Sequence, residues 1–384
     1  MFLSRKLVTG LAAIVLLGGG CVAKQPETST TTSTAPQQKE ATVPPEKGQM
    51  AELPEVKVGV MAPLSGSSKS QGEDMRRAVQ LAQKELGLEK VEFIFEDSKC
   101  EGKAASAAIT KLINTDTVVA VIGGVCPEAT AAAASVAEQN KVVIISPATT
   151  ASTLSDAGDF VFRTIPSDAS QAVFAANLAY QKGARKLAVL HTSDDYGAAF
   201  SDVLKEAFPK LGGEVVASER VTPGLVSVKA QLTKIKAADP DGLYIISNSP
   251  TTAAAALKQV RDLNLNIRVF GSEGLKNDQV IAGAKGAAEN LVVSSVSQGS
   301  DPFIELYKKE FGLEPGLFAA QTYDAVQILA VAFRDKARTG EEIRDALYGI
   351  SLSGVSGRIE FDQKGDIQGS YNVFVVKDGA FEKE

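Results

Sequence analysis

The chain repeats one unit: a short β-branched apolar run, a loop of small and polar residues, then a stretch with helical spacing. The clearest copy is Val142 to Thr150, Val-Val-Ile-Ile-Ser-Pro-Ala-Thr-Thr. Its apolar run is short for a helix and right for a buried parallel strand. Pro147 has no N–H to donate and ends the ladder. Ala148, Thr149 and Thr150 then offer backbone N–H groups and hydroxyls at the carboxyl end of the strand, where open α/β sheets hold ligands. Alone, the stretch is better read as an ordinary strand with a Thr-rich turn; its recurrence gives it weight.

A first series has strands at Val56–Val60, Val91–Phe95, Val118–Ile122 and Val142 onward. Helical spacing falls at about Glu73 to Leu86, at Ala104 to Ile113, and through the Ala-rich stretch to about Asn140. A second series follows Phe162 to Asp168. It has strands at Lys186–Leu190, from Val215, at Gly242–Ile246, at Ile267–Phe270 and at Leu291–Val293. This alternation predicts βαβ units and parallel sheets with right-handed crossovers. The two series begin alike, with a strand, a polar loop closing on Gln71-Gly72 or Tyr196-Gly197, and a helix. The expected fold class is α/β, with two similar lobes, each a parallel sheet flanked by helices. The tail has helical patterns at Asp301–Phe311 and Phe318–Asp335. A strand pair is then expected at Gly357–Phe361 and Tyr371–Val376, turning at Lys364-Gly365. The tail is too short for a third domain, so it should return to the first lobe and send its last strand to the second. The lobes would be joined by a multi-crossing hinge. The expected limits are 55–167 plus 297–369 for lobe 1 and 168–296 plus 370–384 for lobe 2.

Composition narrows the function. The 384 residues are too many for one compact core. A net charge of -6, without a basic block, argues against nucleic acid. His191 is the single histidine, so a Ser-His-Asp set or a multi-His metal site would rest on it alone. A structural histidine is the better reading. Asp168, Asp194 and Asp195 lack a fixed metal-ligand spacing. No G-x-G-x-x-G follows the first strand, and no G-x-x-x-x-G-K-[ST] occurs, so cofactors are not expected.

The N-terminus reads as a targeting segment, residues 1–21. Arg5 and Lys6 precede the apolar run Leu7–Leu17, and Gly18, Gly19, Gly20 and Cys21 follow. The run is short for a membrane span, which takes roughly 20 residues; a short uncleaved anchor is the alternative. Residues 22–54 are rich in Thr, Ser, Pro and Gln, with few large apolar side chains. Such a stretch is expected to be a disordered tether. The glycines before Cys21 resemble a lipoprotein lipobox, with Gly18 where a larger aliphatic is usual. The protein is thus expected to be exported and held at the outer face of the membrane by lipid on Cys21.

The body resembles the extracytoplasmic solute-binding proteins of ABC transporters, of the leucine/isoleucine/valine-binding type. The resemblance rests on Gly59 to Gly66, Ile122 to Cys126, Ile145 to Thr150, Phe162-Arg163-Thr164, Asp195-Tyr196-Gly197, Gly271 to Gly274 and Asp362 to Asp366. It implies two lobes that close on a small molecule, with an ABC permease as partner and a monomer as the simplest state. It places the ligand carboxylate on Ala148 and Thr150, and Asp168 at the first crossing. Tyr196 would pack on the ligand, and Glu273 would pair with its ammonium. It also implies a disulfide between Cys100 and Cys126, at the ends of the second and third strands, which could be neighbours; a buried thiol pair is the alternative. The sequence departs from the pattern at Pro127, where the family has a serine, and at Asn248, where an aromatic is frequent. The first weakens the carboxylate anchor, and the second suggests a more polar pocket.

The sequence therefore points to a binding protein for a small amino acid, branched-chain type favoured, and not to an enzyme. A sensor for amides or small carboxylates using the same fold is the alternative. An α/β enzyme such as a nucleotide-dependent dehydrogenase is a third reading, which fold alone does not exclude. The Cys21→Ser protein is expected in the soluble fraction after cell fractionation; unchanged membrane association would refute the lipid anchor.

Overall fold

The computed structural model describes residues 55–66 and 68–384. The targeting run, Cys21 and the tether lie outside the described residues. Among those described, no helix is long and apolar enough to cross a membrane.

The first sheet is built from β1 (Val56–Ala62), β2 (Val91–Asp97), β3 (Ala120–Gly123), β4 (Val143–Ser146) and β5 (Val161–Arg163). Its order is β2-β1-β3-β4-β5, and every pairing is parallel. The second sheet has β6 (Lys186–Thr192), β7 (Glu214–Val221), β8 (Gly242–Ile246), β9 (Arg268–Gly271) and β10 (Val292–Val296). It adds two antiparallel strands, β13 (Tyr371–Lys377) against β10 and β14 (Ala380–Lys383) against β13. Its parallel part runs β10-β9-β8-β6-β7. Strand for strand this is the order of the first sheet, so the faint sequence repeat is a real duplication of topology.

Successive residues of the strands feed opposite cores, as a pleated strand buried on both faces requires. In β3, Ala120 and Ile122 join one cluster and Val121 the other. In β8, Leu243 and Ile245 face one side and Tyr244 and Ile246 the other. The first sheet is covered on one face by α2 (Gly102–Asn114) and α3 (Pro127–Asn140). Its other face carries α1 (Lys69–Glu85), α9 (Asp301–Phe311), α10 (Ala319–Arg334) and α11 (Gly340–Tyr348). The second sheet lies between α4 (Asp168–Gln181) with α5 (Asp195–Lys210) and α6 (Lys229–Ala237) with α7 (Pro250–Asp262) and α8 (Asp278–Ala284). The sequence pattern did not single out α4 or α7. Both bury alanines, at 172, 175, 176 and 179 and at 253, 254 and 256, and small side chains give a weak periodic signal.

The tail sends its last strands to the second sheet as expected but differs from expectation in its pairing. Residues 358–360 and 371–377 do not pair with each other. β12 (Arg358–Glu360) pairs with β11 (Ser351–Ser353), whereas β13 leaves for the second sheet. The Lys364-Gly365 turn instead docks on the edge strand β5, where the Arg163 N–H donates to the Gly365 carbonyl at 3.0 Å. That contact covers an edge that would otherwise stay unpaired. Asp324 of α10 anchors the tail by accepting from the Val355 and Ser356 N–H groups at 2.6 and 2.8 Å. Full burial pushes its pKa up to about 7 against those donors.

Three strands of chain join the sheets, and they are tied together. The Thr164 hydroxyl donates to the Gln321 carbonyl at 2.8 Å, and the Gln321 amide donates to the Ser297 carbonyl at 2.7 Å. The Ser297 N–H donates to the Ser370 carbonyl at 3.1 Å. Gly369, at φ +69, lies so close to Pro166 that a Cβ would sit 2.6 Å from it.

The repeated glycines have one cause. A Cβ on Gly72 would stand 2.0 Å from the Pro63 carbonyl, and one on Gly197 2.3 Å from the Thr192 carbonyl. Each lies in the first turn of its helix, pressed against the end of the preceding strand. Gly72→Ala is expected to destabilise the protein by about 1–3 kcal/mol in urea titration, the usual range for overpacking. Gly349→Ala is the control: its backbone is helical and its nearest neighbour would be 3.5 Å away, so stability should hold or rise slightly.

Candidate functional site

The carboxyl ends of the parallel strands carry the sequence-selected residues. The β4 loop is held from beneath. The Thr149 N–H donates to the Ser146 hydroxyl at 3.0 Å, and the Thr149 hydroxyl meets that of Thr130 at 2.6 Å. Thr149 is therefore buried and structural, which leaves Thr150 to face outward. Among the described residues the Thr150 N–H has no acceptor, and the Ala148 N–H reaches only the Ser146 hydroxyl, at a long 3.4 Å. These are the two N–H groups from which an anion could accept hydrogen bonds.

Arg163 fixes that loop, a role the sequence reading did not assign. Its guanidinium is buried, pairs with both oxygens of Asp366, and donates to the Ala151 and Thr149 carbonyls at 2.9 and 3.3 Å. A planar fork can serve a carboxylate and two carbonyls at once; a lysine could not. The signal was present in Phe162-Arg163-Thr164, but only the fold shows that its partner is 203 positions away.

Asp168 opens α4. Its N–H donates to the Thr150 carbonyl at 2.9 Å, and the Thr150 side chain lies near enough to act on its carboxylate. Burial raises its pKa, while Thr150 and the Arg163 charge pull it back. Glu273 follows β9 in a single helical turn, the position in the second sheet that the Ala148–Thr150 loop holds in the first. Its Oε1 accepts from the Ser295 hydroxyl at 2.8 Å and the Val296 N–H at 3.2 Å. The side chain keeps some exposed surface, yet its carboxylate sits deep enough that burial raises its pKa. Lys276 opposes that shift and Asp168 adds to it.

Tyr196, in the first turn of α5, has a half-exposed ring but a buried hydroxyl with no partner of sound geometry. Ser272 lies near enough to influence it, and the charges of Asp168 and Glu273 both act on it. Asn248 is exposed and borders the same turn: a Cβ on Gly274 would stand 2.5 Å from its Oδ1. The structure thus gathers Thr150, Asp168, Tyr196 and Glu273 electrostatically, with Ala148 beside Thr150 in sequence and Asn248 at the rim.

Phe318 was missed. It precedes α10 at φ +74, a strained conformation for a bulky residue, and packs with Met75, Val125 and Ala148. Pro127 is exposed at the first position of α3, where its missing N–H is no loss. Pro250 begins α7 the same way. His191 is nearly buried, its Nδ1 2.9 Å from the Thr192 carbonyl, and burial lowers its pKa. Asp194 caps α5 by accepting from the Gly197 N–H at 2.8 Å. Among the described residues no cluster could hold a metal ion.

Cys100 and Cys126 are placed as a disulfide, with Cα atoms 5.3 Å apart. Their strands are not neighbours, contrary to expectation. β1 lies between β2 and β3, so the contact is made by the loops beyond the strand ends.

Two parallel sheets joined by three crossings, with anion donors on one and a buried acid on the other, define a two-lobed small-molecule-binding protein. The chain belongs to the periplasmic binding protein family, whose model matches residues 55–380. It is 28% identical over 337 residues to an amino acid binding protein of Pseudomonas aeruginosa, spanning 82% of this chain and 88% of that one. It is 26% identical over 339 residues to the Leu/Ile/Val-binding protein of Escherichia coli K12, spanning 85% and 92%. Among solved structures it is similar to an ABC transporter substrate-binding protein of Desulfitobacterium hafniense in complex with Leu. The TM-score is 0.70 at 25% identity, over 86% of this chain and 99% of that one.

Alkylation of the unreduced body is expected to add no mass, and alkylation after reduction to add two groups, at Cys100 and Cys126. Labelling without reduction would refute the bridge.

Proposed function

We propose that this protein captures a small amino acid between its lobes, branched-chain type favoured, and delivers it to an ABC permease. In this reading it binds and releases its solute unchanged, and it works outside the cytoplasm, tethered by lipid on Cys21. The observation that carries the reading is the opposition of two chemistries. Among the described residues Thr150 presents a free N–H and Ala148 one with only a long bond on the first sheet, and Glu273 presents a desolvated carboxylate on the second. A zwitterion satisfies both ends at once, and charge-assisted bonds in such a site contribute roughly 1.5–3 kcal/mol each. The names of the relatives, amino acid and Leu/Ile/Val binders, agree with that chemistry.

Ala148 and Thr150 receive the carboxylate, Glu273 the ammonium, and Tyr196 lies along the ligand. Asp168 orients Thr150, and Asn248 borders the side-chain end. Because the ligand touches both lobes, it favours the closed arrangement over the open one. The second reading, a sensor for amides or small carboxylates, draws on Pro127, which brings no hydroxyl to the anion, and on polar Asn248.

Thermal unfolding against a panel of amino acids, amides and carboxylates tests this. A bound amino acid at 100 times its dissociation constant should add about 2.7 kcal/mol. A response to amides or acids alone would favour the second reading. Affinity for the amino acid should fall as pH drops through the raised pKa of Glu273, tenfold per unit below it, because only the ionised carboxylate pairs with the ammonium. The unliganded protein has the opposite sign. A raised native pKa means that stability is present at low pH and lost as pH rises through that pKa. Glu273→Gln should therefore abolish binding while raising unliganded stability at neutral pH, an advantage that shrinks in acid.

A further inference from the structure

A second buried phenol stands beside the same two acids. Tyr371 is the first residue of β13, on the third crossing between the lobes, and pairs in register with Val296. The Val296 N–H is one of the two donors to Glu273, so Tyr371 and Glu273 flank the same residue. The crossing just before it is fixed by the 3.1 Å bond from Ser297 to Ser370. Its ring is stacked on Phe174 of α4, with centroids 4.4 Å apart. The ring is thus packed on one face by Phe174, and its backbone is fixed by the strand pairing.

The hydroxyl at the end of that ring is buried and has no hydrogen-bond partner among the described residues. Such a group in a folded protein calls for a reason. Burial pushes its acidity well below that of an ordinary phenol, and the charges that act on it most are those of Glu273 and then Asp168. Glu273 is itself incompletely used: both of its donors go to Oε1, and Oε2 has none among the described residues. Glu273 Oε2, the Asp168 carboxylate and the Tyr371 oxygen are three acceptors, and a primary ammonium carries three N–H donors.

We propose that Tyr371 is a hinge-borne ligand contact whose hydroxyl oxygen accepts a hydrogen bond from the ligand's ammonium, so that the cleft selects ligands carrying a primary amine. The inference rests on the amino-acid reading above and adds to it a residue from the crossing strand. A ligand held there touches both lobes and also the chain that joins them.

The test is Tyr371→Phe in the intact body, which keeps the ring, the stacking on Phe174 and the strand pairing. Titration calorimetry with the amino acid that most stabilises the wild type, L-leucine being the first probe, should show affinity lowered roughly ten- to hundredfold. Competition by 4-methylpentanoate, the leucine skeleton without its amine, should be unchanged, so discrimination between the two shrinks. The unliganded melting temperature should hold or rise, because an unpaired buried hydroxyl has been removed. Unaltered leucine affinity in Tyr371→Phe, with Glu273→Gln inactive, overturns this inference alone. A fall in the unliganded melting temperature shows that the hydroxyl is structurally bonded and also overturns it. If no amino acid stabilises the wild type, the proposed function fails and this inference with it.

Discussion

Burying two carboxylates with too little counter-charge to offset their desolvation is the constraint on which the site depends. Water solvates an ionised acid strongly, and a protein interior replaces that solvation only with aimed donors. Glu273 receives two, from Ser295 and Val296, both at the end of β10. Asp168 receives Thr150 and the field of Arg163. Neither set is complete, since burial still dominates both shifts. The site is thus left short of positive charge, and under the proposed function that shortage is what a ligand's ammonium would meet.

The donors stay in place because the chain crossings are hydrogen-bonded to one another where they meet. Gln321 links the first crossing to the second, and the bond from Ser297 to Ser370 links the second to the third. Arg163 extends the support to the anion loop, joining the β4 loop, β5 and the Asp366 turn. The residues proposed to meet the two ends of a ligand are thus held by elements that also set how the sheets are joined. Closure of such a molecule is a rotation about these crossings, with each lobe moving as a packed body.

The duplicated topology explains why the two halves of the site look chemically different yet sit at equivalent positions. β4 and β9 hold the same place in their sheets. One ends in small residues that expose N–H groups, and the other in an acid on a tight turn. Pro127 and Pro250 open α3 and α7 alike, so the proline that departs from the family pattern fits the local helix geometry.

The sequence by itself determined the α/β class, the two series of strands, and the loops at strand ends that carry Ala148, Thr150, Asp168, Tyr196, Asn248 and Glu273. These are local signals: β-branched runs, turn residues and helical spacing act over a few positions. Even the repeated glycines were visible, though only the fold shows that a carbonyl two ångströms away demands them. What tertiary structure alone decided is everything that depends on contacts distant in sequence. β13 pairs with β10 and not with β12, and β1 separates the strands that lead to the cysteines. Arg163 finds Asp366, Phe318 takes a strained backbone beside Ala148, and Tyr371 comes to stand next to Glu273. The faces that α4 and α7 bury belong to the same group, because their alanines favour a helix but give little apolar periodicity to show which side packs.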